Sequence, residues 1–152
     1  MLIGIATDHG GFDLKEPVLK ALRNSGHEVR DFGAFDLNPE DDYPDFVIPL
    51  AKAIASGKVE RGIAICGSGV GASVAANKVS GIRSALIHES YSAHQGVEDD
   101  NMNLLCLGGR VIAFEAAWEI IKIYLTAHYV AKERFERRLA KVAAIECKEQ
   151  IK

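Results

Sequence analysis

The chain has 152 residues, 48 % of them hydrophobic, enough to bury one substantial core, and it reads as a single domain over residues 1–152. The net charge is −3 with no long block of one sign, which argues against nucleic acid as the main partner, and no apolar run approaches the roughly 18 residues of a membrane span. Cys66, Cys106 and Cys147 are odd in number and far apart, which fits neither a disulfide framework nor a zinc spacing and points to a reducing, cytoplasmic setting.

Leu2–Ala6 is the first strand candidate, and the absence of a basic n-region makes this segment a strand and not a signal peptide. A helix is expected over about Asp13–Asn24, with Pro17 tolerable only in its first turn. Glu28–Phe32 offers a second strand. The polar loop AFDLNPEDDYP leads into a helix from near Pro44 to Gly57. Gly62–Cys66 is a continuous apolar run, as expected of a strand buried on both faces. A helix over Val70–Val79, a strand over Ser84–His88, a helix from Ser90 and a strand over Asn103–Gly109 follow. Two helices close the chain, Phe114–Ala127 and Ala131–Lys148.

This alternation implies a doubly wound α/β fold: a five-stranded parallel sheet, right-handed crossovers and helices on both faces. The last helix, in an arm spanning 131–152, has no strand after it. It reads equally as a solvated terminal helix or as an arm packing on a second subunit.

Ligands in such folds sit outside the carboxyl ends of the strands. TDHGG, CGSGVGAS, HESYSAH and GGR all follow strands, so they should gather along one edge. The glycines of ICGSGVGAS let backbone N–H groups converge, and the following helix adds its positive end. That makes an anion site, unless the loop is merely a tight turn. Gly67, Gly69 and Ala72 also satisfy G-x-G-x-x-A, which permits a dinucleotide, although the motif follows the third strand and not the first. The serine-hydrolase elbow fails, because Cys66 stands where its first glycine belongs. A Walker A loop fails for want of Gly-Lys-Ser/Thr.

Cys66 is either a small core residue or a thiolate beside a ring of donors. A base next to an oxyanion hole suits proton abstraction beside a carbonyl, giving an enediolate, with Ser68 hydrogen-bonding one oxygen. A cysteine nucleophile in acyl transfer needs the same thiolate, so the residues alone leave both chemistries open. Arg134 and Arg138 lie four apart on one helix face, and guanidinium forks suit phosphate oxygens.

DHGGFDLK, DYPDF, GIAICGSGVGASVAANKVSGIRSAL, YSAH and NMNLLCLGGRVI resemble, in order, segments of the type B ribose-5-phosphate isomerase family, which includes the galactose-6-phosphate isomerase subunits. The likeness runs from Ile3 to about Glu146. It implies a doubly wound fold working as a homodimer or a pair of dimers. It also implies aldose–ketose isomerisation of sugar phosphates without metal or organic cofactor. On the matching positions, Cys66 resembles the base that moves a proton between C1 and C2, and Ser68 the hydroxyl of that loop. The backbone from Gly67 through Gly69 and Val70 to Gly71 resembles the holder of the enediolate. Asp8 and His9 match residues that contact the sugar and its phosphate. Arg110 matches an arginine after the fifth strand, and Arg134 and Arg138 match a helical pair that reaches the phosphate.

The chain departs from the family's His-Asn-x-x-Asn, which here is Asp99-Asp100-Asn101-Met102-Asn103. The family histidine opens the sugar ring; Asp99 takes its place, and Asp100 replaces an amide that touches substrate, with Asn101 beside it. The family's Gly-Gly-Arg-His appears as Lys132-Glu133-Arg134-Phe135. An aspartate is a poor proton donor at neutral pH, so the substrate is expected to need little ring opening, as a tetrulose phosphate does. His88 and His94 near the acidic pair lack a tight ligand spacing, and no metal is expected. A non-catalytic sugar-phosphate or nucleotide sensor is the rival on the same fold; the retained Cys66 argues against it.

Overall fold

A computed structural model describes residues 1–149. The order is β1 (Leu2–Thr7), α1 (Phe12–Asn24), β2 (Glu28–Asp31), α2 (Pro44–Ala55), β3 (Arg61–Cys66), α3 (Val70–Ala76), β4 (Ser84–Leu86), α4 (Ser90–Asp100), β5 (Leu104–Gly108), α5 (Phe114–Thr126) and α6 (Glu133–Glu149). All strand pairs are parallel, in the order β2-β1-β3-β5-β4. The chain leaves β1 for one edge and returns to the other side of β1 as β3. The crevice of a topological switch therefore opens between the carboxyl ends of β1 and β3. No helix among the described residues is long and apolar enough to cross a membrane.

The two sheet faces differ in bulk. Ile3, Ile5, Ile63, Ile65, Leu105 and Leu107 pack against α1, α4 and α5. Ala6, Ala64, Cys66 and Cys106 face α2 and α3, alternating along the strands with the bulky set. Gly4 and Gly62 lie on this small face. A Cβ on Gly62 would come 2.6 Å from Ile54 Cδ1, and one on Gly4 would collide with Leu50. The sheet thus lets α2 settle close against β1 and β3, on the side where Cys66 points.

Element ends differ from expectation for local reasons. α3 stops at Ala76 and not Val79, because Asn77 leaves the helix to pair with β4. Its Oδ1 accepts from Ser84 N–H at 2.9 Å and its Nδ2 donates to Ser84 O at 2.9 Å. β4 ends at Leu86 and not His88; the His88 ring turns to accept a hydrogen bond from Gly108 N–H at 3.0 Å. Pro17 sits in the second turn of α1, because the helix already begins at Phe12; the proline is exposed, so the Asp13 carbonyl it orphans can face water.

α6 begins at Glu133 and not Ala131. The last three residues of the expected 131–152 arm lie outside the described residues. α6 lies along its own chain: Phe135 is buried, and Glu146 Oε2 accepts from Ser80 Oγ at 2.9 Å and Gly81 N–H at 3.0 Å. The other residues from Glu133 to Ile145 are almost wholly exposed, with Val142 and Ile145 uncovered.

Candidate active site

Three strand-end loops interlock through their backbones. Asp8 N–H donates to Ile65 O at 3.3 Å, Gly109 N–H to Cys66 O at 2.8 Å and Arg110 N–H to Gly67 O at 3.0 Å. A Cβ on Gly10 would lie 2.6 Å from Gly67 N, and one on Gly108 would lie 2.7 Å from Ser68 O. Much of the glycine content at this edge therefore serves loop-on-loop contact, beyond the ligand approach that the sequence suggests. Gly69 has φ +85°, the left-handed geometry that starts α3 so abruptly after β3. Ala72 is fully buried against the small face. The G-x-G-x-x-A spacing is thus accounted for by turn and packing.

The loops enclose a cavity of about 460 Å³ lined by Asp8, His9, Tyr43, Cys66, Gly67, Ser68, Gly71, Arg110 and Val111. Cys66 ends β3 on the small face and is almost buried, and its Sγ accepts a hydrogen bond from Gly69 N–H at 3.2 Å. Cys106 is its contrast. It lies on the same face of β5 but fully buried, and burial pushes its thiol up to about 12. Only Cys66 of these two thiols reaches the cavity.

Ser68 is exposed and its Oγ accepts from Val70 N–H at 3.3 Å. That fixes the hydroxyl at the mouth of the helix. Val70 itself is exposed and contributes backbone only. At Gly71 the lack of a side chain admits the Tyr43 ring, which a Cβ would meet at 2.7 Å. At Gly67 the nearest neighbour of a Cβ would be Arg110 at 3.8 Å, so this stretch of backbone lies open to the cavity.

Asp8 is buried, and its Oδ1 accepts from Gly10 N–H at 2.8 Å and Gly11 N–H at 3.2 Å, a turn that aims the loop across the β3 end. His9 Nδ1 lies 2.6 Å from Asp41 Oδ1, which also accepts the His9 backbone N–H at 3.1 Å. The hydrogen bond to Asp41 raises the His9 pKa above its ordinary value; partial desolvation and the nearby Arg110 charge oppose it, and Asp8 assists. Asp8, His9 and Asp41 hold ligand atoms within 4.8 Å of one another, the one such group among the described residues. Asp8 Oδ1 and His9 Nδ1 are already committed to the hydrogen bonds above, so the arrangement is a hydrogen-bonded network more than an open metal cage.

The remaining expected residues are not gathered here. Asp99, half-buried on α4, accepts from Gln95 Nε2 at 3.0 Å, and Asp100 is exposed. Asn101 caps α4 with φ +50° and offers its carbonyl to Arg83 Nε at 2.7 Å. Arg134 and Arg138 are exposed on α6. None of the five lines the cavity. His94 pairs with Glu98 at 3.1 Å and His88 with Gly108, so neither joins the acidic pair. Conversely, Tyr43, Val111 and Asp41 belong to the site although the sequence did not single them out. The sign for the first was its place beside Pro44, at the end of a loop leading into α2.

One cavity thus offers a thiol beside backbone donors, a hydroxyl, a carboxylate, an imidazole and a guanidinium, which suits a small phosphorylated, carbonyl-bearing molecule. The family described as Ribose/Galactose Isomerase matches residues 3–142. The chain is 40% identical to ribose-5-phosphate isomerase B of Escherichia coli strain K12 over 144 residues, 95% of each chain. It is also 40% identical to D-erythrulose-4-phosphate isomerase of Pectobacterium atrosepticum over 127 residues, 84% of each. The structure of Clostridium thermocellum ribose-5-phosphate isomerase B superposes with a TM-score of 0.94 at 44% identity, covering 98% of this chain and 99% of that one. The chain belongs to the ribose/galactose isomerase family, and is a sugar-phosphate aldose–ketose isomerase.

Proposed function

We propose that Cys66 is the base of this isomerisation and that the preferred substrate is a short phosphorylated sugar that spends its time largely open-chain. The thiolate takes the proton from the carbon next to the carbonyl. The C–H electron pair becomes the carbon–carbon double bond of a cis-enediolate, whose oxygens face the N–H groups of the Gly67–Gly71 loop. Ser68 passes a proton between the two oxygens. The thiol then returns its proton to the neighbouring carbon, and the carbonyl has moved one place. No metal or organic cofactor takes part in these steps.

The single observation that carries this reading is the Cys66 sulfur, at the wall of the cavity with the Gly69 N–H aimed at it from 3.2 Å. A sulfur held at the cavity wall beside backbone donors is placed to act as a base on a bound carbonyl compound. Asp8 serves the sugar hydroxyls, and His9 and Arg110 face the phosphate. A homodimer or pair of dimers completes the site: Asp99, Asp100, Asn101, Arg134 and Arg138 would come from a second copy. The uncovered Val70, Val74, Tyr91, Val142 and Ile145 support such an association. The free thiols of Cys66 and Cys106 agree with a cytoplasmic setting.

Substrate size follows from Asp99 standing where the family carries its ring-opening histidine. A ketotetrose 4-phosphate has no hydroxyl placed to close a furanose ring and needs no such help. The Escherichia coli and Pectobacterium relatives, named for a pentose and a tetrulose phosphate, bracket the range. The test is deuterium uptake from deuterated water at C1 and C2, over a panel of phosphorylated tetroses, pentoses and hexoses. Exchange is expected with at least one and fastest with a tetrulose phosphate. Exchange with none, or undiminished exchange in Cys66→Ser, overturns the proposal.

A further inference from the structure

Asp41 comes from the loop between β2 and α2, remote in sequence from every strand end around the cavity. Its side chain is only 8 % exposed. One oxygen, Oδ1, carries both hydrogen bonds to His9, from the ring at 2.6 Å and from the backbone at 3.1 Å. The other, Oδ2, is buried and has no hydrogen-bond partner among the described residues. A carboxylate so placed is costly unless a cation stands against it. Among the described residues no lysine or arginine salt-bridges to Asp41; its ion-pair partner is His9. The pair is therefore most stable with the imidazole charged.

We infer that Asp41 is a positioning residue that holds His9 as an imidazolium, Nδ1–H fixed to the carboxylate, so that Nε2–H is presented to an anion in the cavity. His9 lines that cavity, and its Nε2 has no partner among the described residues. The other charged or titratable groups facing it are Asp8 from the end of β1, Arg110 from the end of β5, Cys66 from β3 and Tyr43 ahead of α2. Arg110 opposes the charge and Asp8 supports it, so Asp41 tips the balance. A neutral His9 could offer one proton to only one side; the carboxylate would claim it, and Nε2 would face a phosphate with a lone pair. With the carboxylate fixed to Nδ1, the chain instead keeps two cationic donors, His9 and Arg110, on the ligand through neutral pH.

The identification of the anion as a sugar's phosphate rests on the isomerase reading, but the charge state of His9 does not, so the experiment is read without turnover. The His9 ring is followed by nuclear magnetic resonance in the full chain, wild type, Asp41→Asn and Asp41→Glu, with and without inorganic phosphate. In the wild type both ring nitrogens should carry protons at pH 7, with the titration midpoint on the alkaline side of pH 7. Asp41→Asn should bring the midpoint down by about one unit and weaken phosphate binding at pH 7 about tenfold, the size of one charge-assisted hydrogen bond. Asp41→Glu should restore part of both. Should Asp41→Asn not fold, the wild-type nitrogen shifts alone decide: a neutral ring at pH 7 overturns the inference. An unchanged midpoint in Asp41→Asn, or a lowered midpoint with unchanged phosphate binding, overturns it too.

Discussion

The wall around Cys66 and the flank that carries Asp99 are built on opposite plans. The wall is backbone locked to backbone: three strand ends share hydrogen bonds, and glycines let the loops touch with nothing between them. The flank is side chains on helix surfaces. Asp99 is held only by Gln95, one turn back on the same helix, and Arg134 and Arg138 stand in solvent. On the proposed reading, one chain carries the base and its donors, and the groups that close over the sugar come from a second copy. The base, the anion-facing His9 and Arg110 and the carboxylate of Asp8 thus share one rigid support, whereas Asp99 and the α6 arginines, if they serve the same site, do so from a separate one.

The largest effect is expected from removing the proposed base. Cys66→Ser should lower turnover by about 10²–10⁴-fold, the usual worth of a general base. The interlocked backbone should hold the fold, with a Tm change of no more than about 4 °C, roughly 1 kcal/mol for a chain of this size. Substantial residual turnover in a protein verified by mass would put the base elsewhere. On the flank, the double variant Arg134→Ala/Arg138→Ala should cost kcat/KM about 10²-fold, as expected for two charge-assisted hydrogen bonds to phosphate. Mixed with Cys66→Ser subunits, it should regain activity, because hybrids would rebuild one intact site. Verified hybrids that stay inactive would return the two arginines to a solvated helix face.

Asp99→His alters the flank and leaves the wall intact. The wild type should favour a tetrulose phosphate over ribose 5-phosphate in kcat/KM. The variant should gain on ribose at least about tenfold, at the low end of what acid–base assistance supplies, with the exchange chemistry at Cys66 unaltered. A wild type that handles ribose 5-phosphate better than every open-chain candidate sinks the idea. The smallest effect belongs to the other thiol. Cys106 holds its proton more tightly folded than unfolded, so its share of stability is whole below its ordinary value of 9.0 and is withdrawn as pH climbs toward about 12. The urea midpoint should fall above pH 9, and less steeply in Cys106→Ala. Equal slopes would mean that Cys106 does not govern the alkaline limb.

The regular part of this fold was legible because burial writes itself into composition. Gly62–Cys66 is apolar without a break because β3 is covered on both faces, and glycines after β1, β3 and β5 marked the three interlocked loops of the edge. The order β2-β1-β3-β5-β4 was not legible, since nothing local in β4 says that β5 will insert beside β3. Asp41 and Tyr43 hid for a similar reason. They sit in a stretch whose Asp, Asn and Pro content is that of any solvated loop, and only the packing of that stretch over the cavity gives them a task. Of the residues the resemblance named, Asp8, His9 and Arg110 line the cavity of the single chain, and Asp99 and the α6 arginines do not.

The close seating of Gly10 on Gly67 and of Gly108 on Ser68 has a bearing on how such an enzyme can change over generations. Contacts made by main chain alone are indifferent to most side-chain replacements nearby, so the wall around Cys66 is insulated from drift on the helices. Residues of α4 and α6 are then free to be resampled, and a lineage could explore tetroses, pentoses and hexoses in turn while inheriting one unaltered engine. The converse burden falls on the glycines: any side chain at Gly10 or Gly108 would pry the loops apart, so this corner of the molecule can be kept or lost but hardly tuned.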